Sequence, residues 1–215
     1  ACFLSVCEKS QVNVIIPKHV NSICCSQIFS SKGFLDAQRI MANEVFTAIW
    51  AAAESGKWPV VLDVSSCTYT LKHLEPALDA VNRELFKQLT IWDAVEFLYH
   101  KVIPAANPRS KKKDIVLHPV CSLEKMNISY MLRAVAAHFA EQVTVPVASG
   151  CCGMAGDRGF IVPGLTASAT KAEASEVCSV AYDGHYSTTK TCELALAQAT
   201  GRNYESILYL VDECL

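Results

Sequence analysis

The sequence predicts an α/β protein of two tandem pseudo-repeat lobes, each with a small, mainly parallel sheet flanked by helices. Three observations carry this expectation. Short β-rich runs alternate with segments of helical periodicity. One run, Pro59-Val60-Val61-Leu62-Asp63-Val64, is continuous and apolar, as in strands covered on both faces. The cysteines also repeat: Cys24, Cys25 and Cys67 recur as Cys151, Cys152 and Cys192 at offsets of 127, 127 and 125 residues. Near-constant spacing of matched features is what a tandem duplication leaves.

The elements follow in order. Phe3–Val6 has the pattern of a helix already under way, and Val12–Ile16, before Pro17, reads as a strand, joined by a short His19–Ser22 connection to Cys24-Cys25. A helix is expected over Asp36–Ser55, with Ile40, Met41, Val45, Phe46, Ile49 and Ala53 near one face and Gly56 as its stop. After the Pro59–Val64 strand, Cys67 falls at a strand's carboxyl end, the usual ligand position in open parallel sheets. Helices are expected over Leu71–Leu85 and Ile91–Ile103. The Pro-containing basic run Arg109-Ser110-Lys111-Lys112-Lys113 reads as a solvated linker. The expected division is therefore a first repeat at 1–106, N-terminally truncated, a linker at 107–113 and a second repeat at 114–215. In the second repeat, a strand at Ile115–His118 leads to Cys121. A helix at Ile128–Gln142 carries Met131, Leu132, Val135 and Phe139 on one side, and a strand at Val143–Val147 leads to Cys151-Cys152. A helix at Leu165–Ala181, a strand at Gly184–Thr189 leading to Cys192, and two helices separated by Gly201 and Asn203 complete the chain.

Composition narrows the function. With 51% hydrophobic residues in 215, buried cores are expected and disorder is not. A net charge of −2 gives no reason to expect nucleic acid or an anionic membrane surface as partner. No apolar run approaches the ~18 residues of a transmembrane helix. Eleven cysteines in a long, apolar chain without secretory features fit thiolate ligands in a reducing compartment better than a disulfide framework. The expected location is the cytoplasm, either free or peripheral on the inner face of the membrane. The chain opens Ala1-Cys2 rather than with Met, as a processed or excised piece of a longer protein would.

The chemistry centres on Ser149-Gly150-Cys151-Cys152-Gly153-Met154-Ala155-Gly156-Asp157-Arg158-Gly159-Phe160. Glycines at every third position allow positive φ and close approach of backbone N–H groups to sulfur. With Cys121 and Cys192, the loop offers four thiolates from three strand ends, the count for a tetrahedral zinc or a cubane iron-sulfur cluster. Cys24, Cys25 and Cys67 form the weaker first set. Cys2, Cys7, Cys178 and Cys214 read as small buried hydrophobes. His118 is either a donor to a cluster sulfur, an alternative ligand or a hydrogen-bonded structural histidine. Asp157 and Arg158 either brace the loop as an ion pair or, through Arg158, offset thiolate charge. Direct thiol–disulfide chemistry at Cys151-Cys152 is a third possibility, requiring a low thiol pKa. Walker, nucleophile-elbow and His-Glu-x-x-His signatures are absent from the sequence.

Cys121, Cys151-Cys152-Gly153 and Cys192 together resemble the cysteine-rich CCG domain. That domain occurs twice in heterodisulfide reductase B subunits and in iron-sulfur subunits of glycolate oxidase systems. His118-Pro119-Val120-Cys121-Ser122, the loop through Phe160, Pro163 with Leu165–Thr170, and Thr191-Cys192-Glu193 look more specifically like the C-terminal part of bacterial FAD-linked, iron-sulfur D-lactate or D-2-hydroxyacid dehydrogenases. The resemblance implies electron transfer from a flavin through an iron-sulfur cluster to a quinone or cytochrome acceptor, with FAD and substrate held by a domain outside this chain. The fragment would then not be active alone. The motif's closing Cys-x-x-Cys is Cys67 with Thr70 in the first copy and Cys192 with Ala195 in the second, and Ser26 stands where the motif has glycine. Four thiolates at most per copy leave a cubane (4Fe-4S), a modified cluster or zinc open. With zinc, the chain would be a structural or docking module of the same oxidoreductase.

Overall fold

Helix and strand alternate through most of the chain, as the periodicity predicts. The computed structural model describes residues 2–17 and 23–215, so the connection expected at 19–22 lies outside the described residues. The chain forms two compact units, Ala1–Val14 with Val95–Leu215, and Ile15–Ala94. Helix α1 (Cys2–Lys9) belongs to the first of these.

The smaller unit contains α2 (Gln27–Ser31), α3 (Leu35–Ala52), β1 (Val60–Leu62), α4 (Ser65–Lys72), a 3-10 turn at Glu75–Ala77, α5 (Ala80–Phe86) and β2 (Ile91–Asp93). Its core is the inner face of α3, with Ala42, Val45 and Phe46 against Leu71, Leu74, Leu78 and Ile91. Burying each of the larger side chains contributes about 1.5–3 kcal/mol. Ile40, expected on that face, is exposed. Helix α3 stops where Glu54, Ser55 and Gly56 all take positive φ. Asp79 then caps α5 by accepting the Asn82 N–H at 2.8 Å. Strands β1 and β2 pair in parallel, with Val60 opposite Ile91 and Leu62 opposite Asp93. β1 is half-buried rather than covered on both faces.

Two expected helices resolve differently here. The 71–85 stretch is divided among the end of α4, the 3-10 turn and α5, because Pro76 lacks the N–H that a continuing helix needs. The 91–103 stretch is strand β2 running directly into α6 (Ala94–Phe97) and a π-helical turn at Leu98–Val102. No turn residue separates them, so the apolar pattern reads as one element.

The larger unit continues with β3 (Lys112–Leu117), α7 (Cys121–Lys125), α8 (Ser129–Phe139), β4 (Ala140–Thr144), α9 (Arg158–Ile161), α10 (Pro163–Cys178), β5 (Gly184–Ser187), α11 (Lys190–Thr200), β6 (Tyr204–Ser206) and α12 (Ile207–Cys214). The four strands are all parallel, in the order β4-β3-β5-β6. Met131, Leu132, Val135 and Phe139 are buried on α8 as expected. β4 starts three residues before its expected position, and β6 occupies part of what reads as a break between helices.

The duplication is visible as architecture. β1-α4 followed by β2 running into α6 matches β5-α11 followed by β6 running into α12. Inside the larger unit, α1 packs on α12 while the π turn that follows α6 packs on α8. The Phe3 and Phe97 rings are 5.3 Å apart, and Lys9 pairs with Asp212 at 2.9 Å. Helices from both sequence repeats thus share one core, which is why the compact units part at 14/15 and 94/95 rather than at the expected 107–113. That basic run lies within the larger unit: Arg109 N–H donates to the Cys214 carbonyl at 2.8 Å, and Lys112 and Lys113 open β3.

Val12–Ile16 is not a strand. The matching stretch of the second half, before Pro146, forms β4 by hydrogen bonding to β3. No described strand stands beside 12–16, and a lone strand leaves its ladder groups unpaired. Ile15 and Ile16 are exposed. No helix among the described residues is long and apolar enough to cross a membrane.

Candidate metal centre

The sheet order reverses at β3 and β5: from β3 the chain moves outward to β4, then returns to β5 on β3's other side. Ligands in open α/β sheets gather at the carboxyl ends beside such a switch point. Cys121 follows β3 as the first residue of α7, Cys151-Cys152 follow β4, and Cys192 follows β5 as the third residue of α11.

The thiols form one electrostatic group. Cys152 and Cys192 are buried, and their Sγ atoms are hydrogen bonded at 3.0 Å. The Cys192 hydrogen bond holds the Cys152 thiol down to about 6, helped by the Met154 N–H and by the His118 charge. Cys192 is pushed far up, first by that same bond and then by burial, so of the two Cys152 is the thiol that ionises more readily. Burial raises Cys121, and the neighbouring Cys151 raises it further. Cys121 and Cys151 are exposed, so the group faces solvent on one side.

The smaller unit repeats this arrangement. Cys67 is the third residue of α4, and its hydrogen bond holds Cys25 down to about 6, with the Gln27 N–H assisting. Cys67 is pushed up by the same bond. In both copies the second thiol of the pair accepts an amide from two residues on, across a left-handed residue: Ser26 at φ 69 and Gly153 at φ 77. Cys24, half-buried, adjoins this pair and also donates to Cys25.

Glycine is required at two places in the loop. A Cβ at Gly153 would meet the Leu165 carbonyl at 2.7 Å and Ala169 Cβ at 2.9 Å, besides the left-handed φ. At Gly159 it would meet Met154 Sδ at 2.4 Å. Asp157 is the N-cap residue of α9 and Arg158 its first residue.

His118, expected near the site, is fully buried at the end of β3. Its N–H donates to Tyr186 O at 2.9 Å and its carbonyl accepts from Ser187 Oγ at 3.0 Å. Its Nδ1 bonds both carboxylate oxygens of Glu173, at 2.8 and 3.0 Å, while Nε2 has no partner among the described residues. Glu173 is missed by sequence reading because a glutamate in Lys171–Glu176 suggests a solvated face. The signal was its spacing: Thr166, Thr170, Glu173 and Val177 share the buried side of α10.

Of the cysteines expected as plain core residues, Cys7 and Cys214 are buried, Cys2 is half-buried, and Cys178 is exposed at the end of α10 with Thr200 O at 3.5 Å. Among the described residues no three His, Cys, Asp or Glu side chains converge on a single-ion position.

Fold and site together define a parallel α/β protein with a duplicated thiol centre at strand ends. No family model matches the chain, and no curated protein matches it.

Proposed function

We propose that this chain is the cysteine-rich iron-sulfur electron-transfer part of an FAD-linked D-lactate or D-2-hydroxyacid dehydrogenase. Its role is to pass electrons from a flavin held elsewhere in the parent protein to a quinone or cytochrome acceptor. Cys121, Cys151, Cys152 and Cys192 make one ligand set, and Cys24, Cys25 and Cys67 contribute to the other. The observation that carries this reading is the repeated geometry. A vicinal pair, a left-handed residue, an amide on the second thiol and a partner thiol on the third residue of a helix recur in both units. Core cysteines need no such apparatus.

The donor set fits a cluster: four sulfurs, thiolate character at Cys152, and amides aimed at sulfur. Four thiolates are equally the count for a tetrahedral zinc, and the metal content decides between the two. A bound cluster would supply one-electron storage at a potential tuned by the hydrogen bonds to its sulfurs. The chain's own part is to hold the sulfurs, bury Cys152 and Cys192, and leave the Cys121–Cys151 side open to a partner.

Iron, acid-labile sulfide and zinc per chain, measured on anaerobically prepared protein, test the reading. Equal iron and sulfide, about four per cubane site, are expected. Zinc at about one per site without sulfide would replace electron transfer by a structural role.

A further inference from the structure

The His118–Glu173 pair has no role in the fold that accounts for its form. Glu173 is nearly fully buried, and both its carboxylate oxygens are committed to His118 Nδ1. No other basic side chain pairs with it among the described residues. This fixes the imidazole in one orientation and leaves Nε2, itself buried, without a partner among the described residues. A buried polar atom without a partner is costly, so a fold retains one where something else meets it. His118 directly follows β3, three residues before Cys121, so it stands at the strand end that carries the thiol group.

Resting on the cluster reading above, we propose that His118 is a positioning residue, oriented by Glu173, whose Nε2–H donates to a sulfur of the centre held by Cys121, Cys151, Cys152 and Cys192. It does not ligate iron. A carboxylate on one ring nitrogen is the usual way to fix a histidine whose other nitrogen serves a metal centre. Four thiolates already meet the needs of a cubane, so Nε2 serves as donor, the second ring proton being balanced by the buried Glu173 carboxylate. Hydrogen bonds to cluster sulfur stabilise the reduced, more negative state and raise the potential.

The test uses the full chain loaded anaerobically with iron and sulfide. In the wild type, pulsed paramagnetic resonance of the reduced cluster with 15N-histidine is expected to show a weak coupling to one nitrogen. His118→Leu is expected to keep its iron and shift the midpoint potential negative, with His118→Gln, which keeps an N–H donor, closer to wild type. Strong nitrogen coupling, or iron lost from His118→Leu with the fold retained, would make His118 a ligand and overturn the proposal. Absent coupling with an unmoved potential would make the pair purely structural. The wild-type measurement decides even if the leucine variant does not fold. Zinc in place of iron in the wild type overturns the cluster reading and this one together, whereas iron with an unmoved potential overturns this one alone.

Discussion

Replacing Gly153 by alanine isolates what the loop's close approach to α10 is worth. A left-handed alanine costs about 1–2 kcal/mol, and its stiffer unfolded chain offsets about 0.4–1 kcal/mol of that. The new Cβ would sit 2.7 Å from the Leu165 carbonyl and 2.9 Å from Ala169 Cβ. That carbonyl belongs to a helix backbone and cannot swing away, so overpacking adds about 1–3 kcal/mol. The net expectation is a loss of about 3 kcal/mol. Two controls separate the terms. Gly156→Ala has the same left-handed strain, at φ 78, but open space around the new methyl, and should lose about 1 kcal/mol or less. Gly150→Ala has open space and no positive φ, and should be close to neutral. Urea unfolding of the three variants in reducing, metal-free buffer reads this directly. With a slope of about 1–3 kcal/mol per molar, Gly153→Ala should move the midpoint by roughly 1 M or more. A Gly153→Ala loss no greater than that of Gly156→Ala would refute the clash, and with it the seating of the loop against α10.

Ser26 gives the converse case. It is buried, left-handed and carries a hydroxyl with no partner among the described residues, so Ser26→Gly should stabilise the smaller unit by about 1 kcal/mol, read as a higher urea midpoint; a lower one would contradict the assigned backbone strain. Cys192→Ser should remove one site's iron while Cys178→Ser leaves the content unchanged, and equal losses from both would detach the chemistry from the assigned ligands. The pH dependence of metal-free protein has a definite sign. Cys152 is held at about 6 in the fold against an ordinary 9.0, so its contribution is present above pH 9 and is lost as pH falls through 6. Cys192 is raised, so above pH 9 the unfolded chain sheds a proton that the fold retains and stability falls again. Urea midpoints against pH should therefore peak near 9, and a flat profile between 6 and 9 would show that the Cys152–Cys192 bond is not formed.

Long amphipathic helices were legible because their signal is local and redundant: α3 and α8 each repeat an apolar face over several turns. The strands β1 and β3 were legible as apolar runs, and β5 as a short stretch between Gly184 and the helix that carries Cys192. β2 and β6 were not, since three residues running straight into a helix leave no punctuation between the two periods. Val12–Ile16 has strand-forming residues, but a strand is completed by its neighbour, and composition carries no information about whether one is present.

The spacing of the cysteines, by itself, marked out a repeat, because an offset of 125–127 residues is a property of the chain and survives any folding. It also singled out Cys24, Cys25, Cys67, Cys151, Cys152 and Cys192, and Cys121 through its place after a strand. Only the tertiary structure decided which thiol of each pair ionises more readily, that α1 packs on α12 and the π turn after α6 on α8, and that Glu173 pairs with His118. Those outcomes depend on groups distant in sequence meeting at a particular angle and depth. The free energy that selects them, burial of charge and closure of hydrogen bonds, exists only once the fold has brought them together.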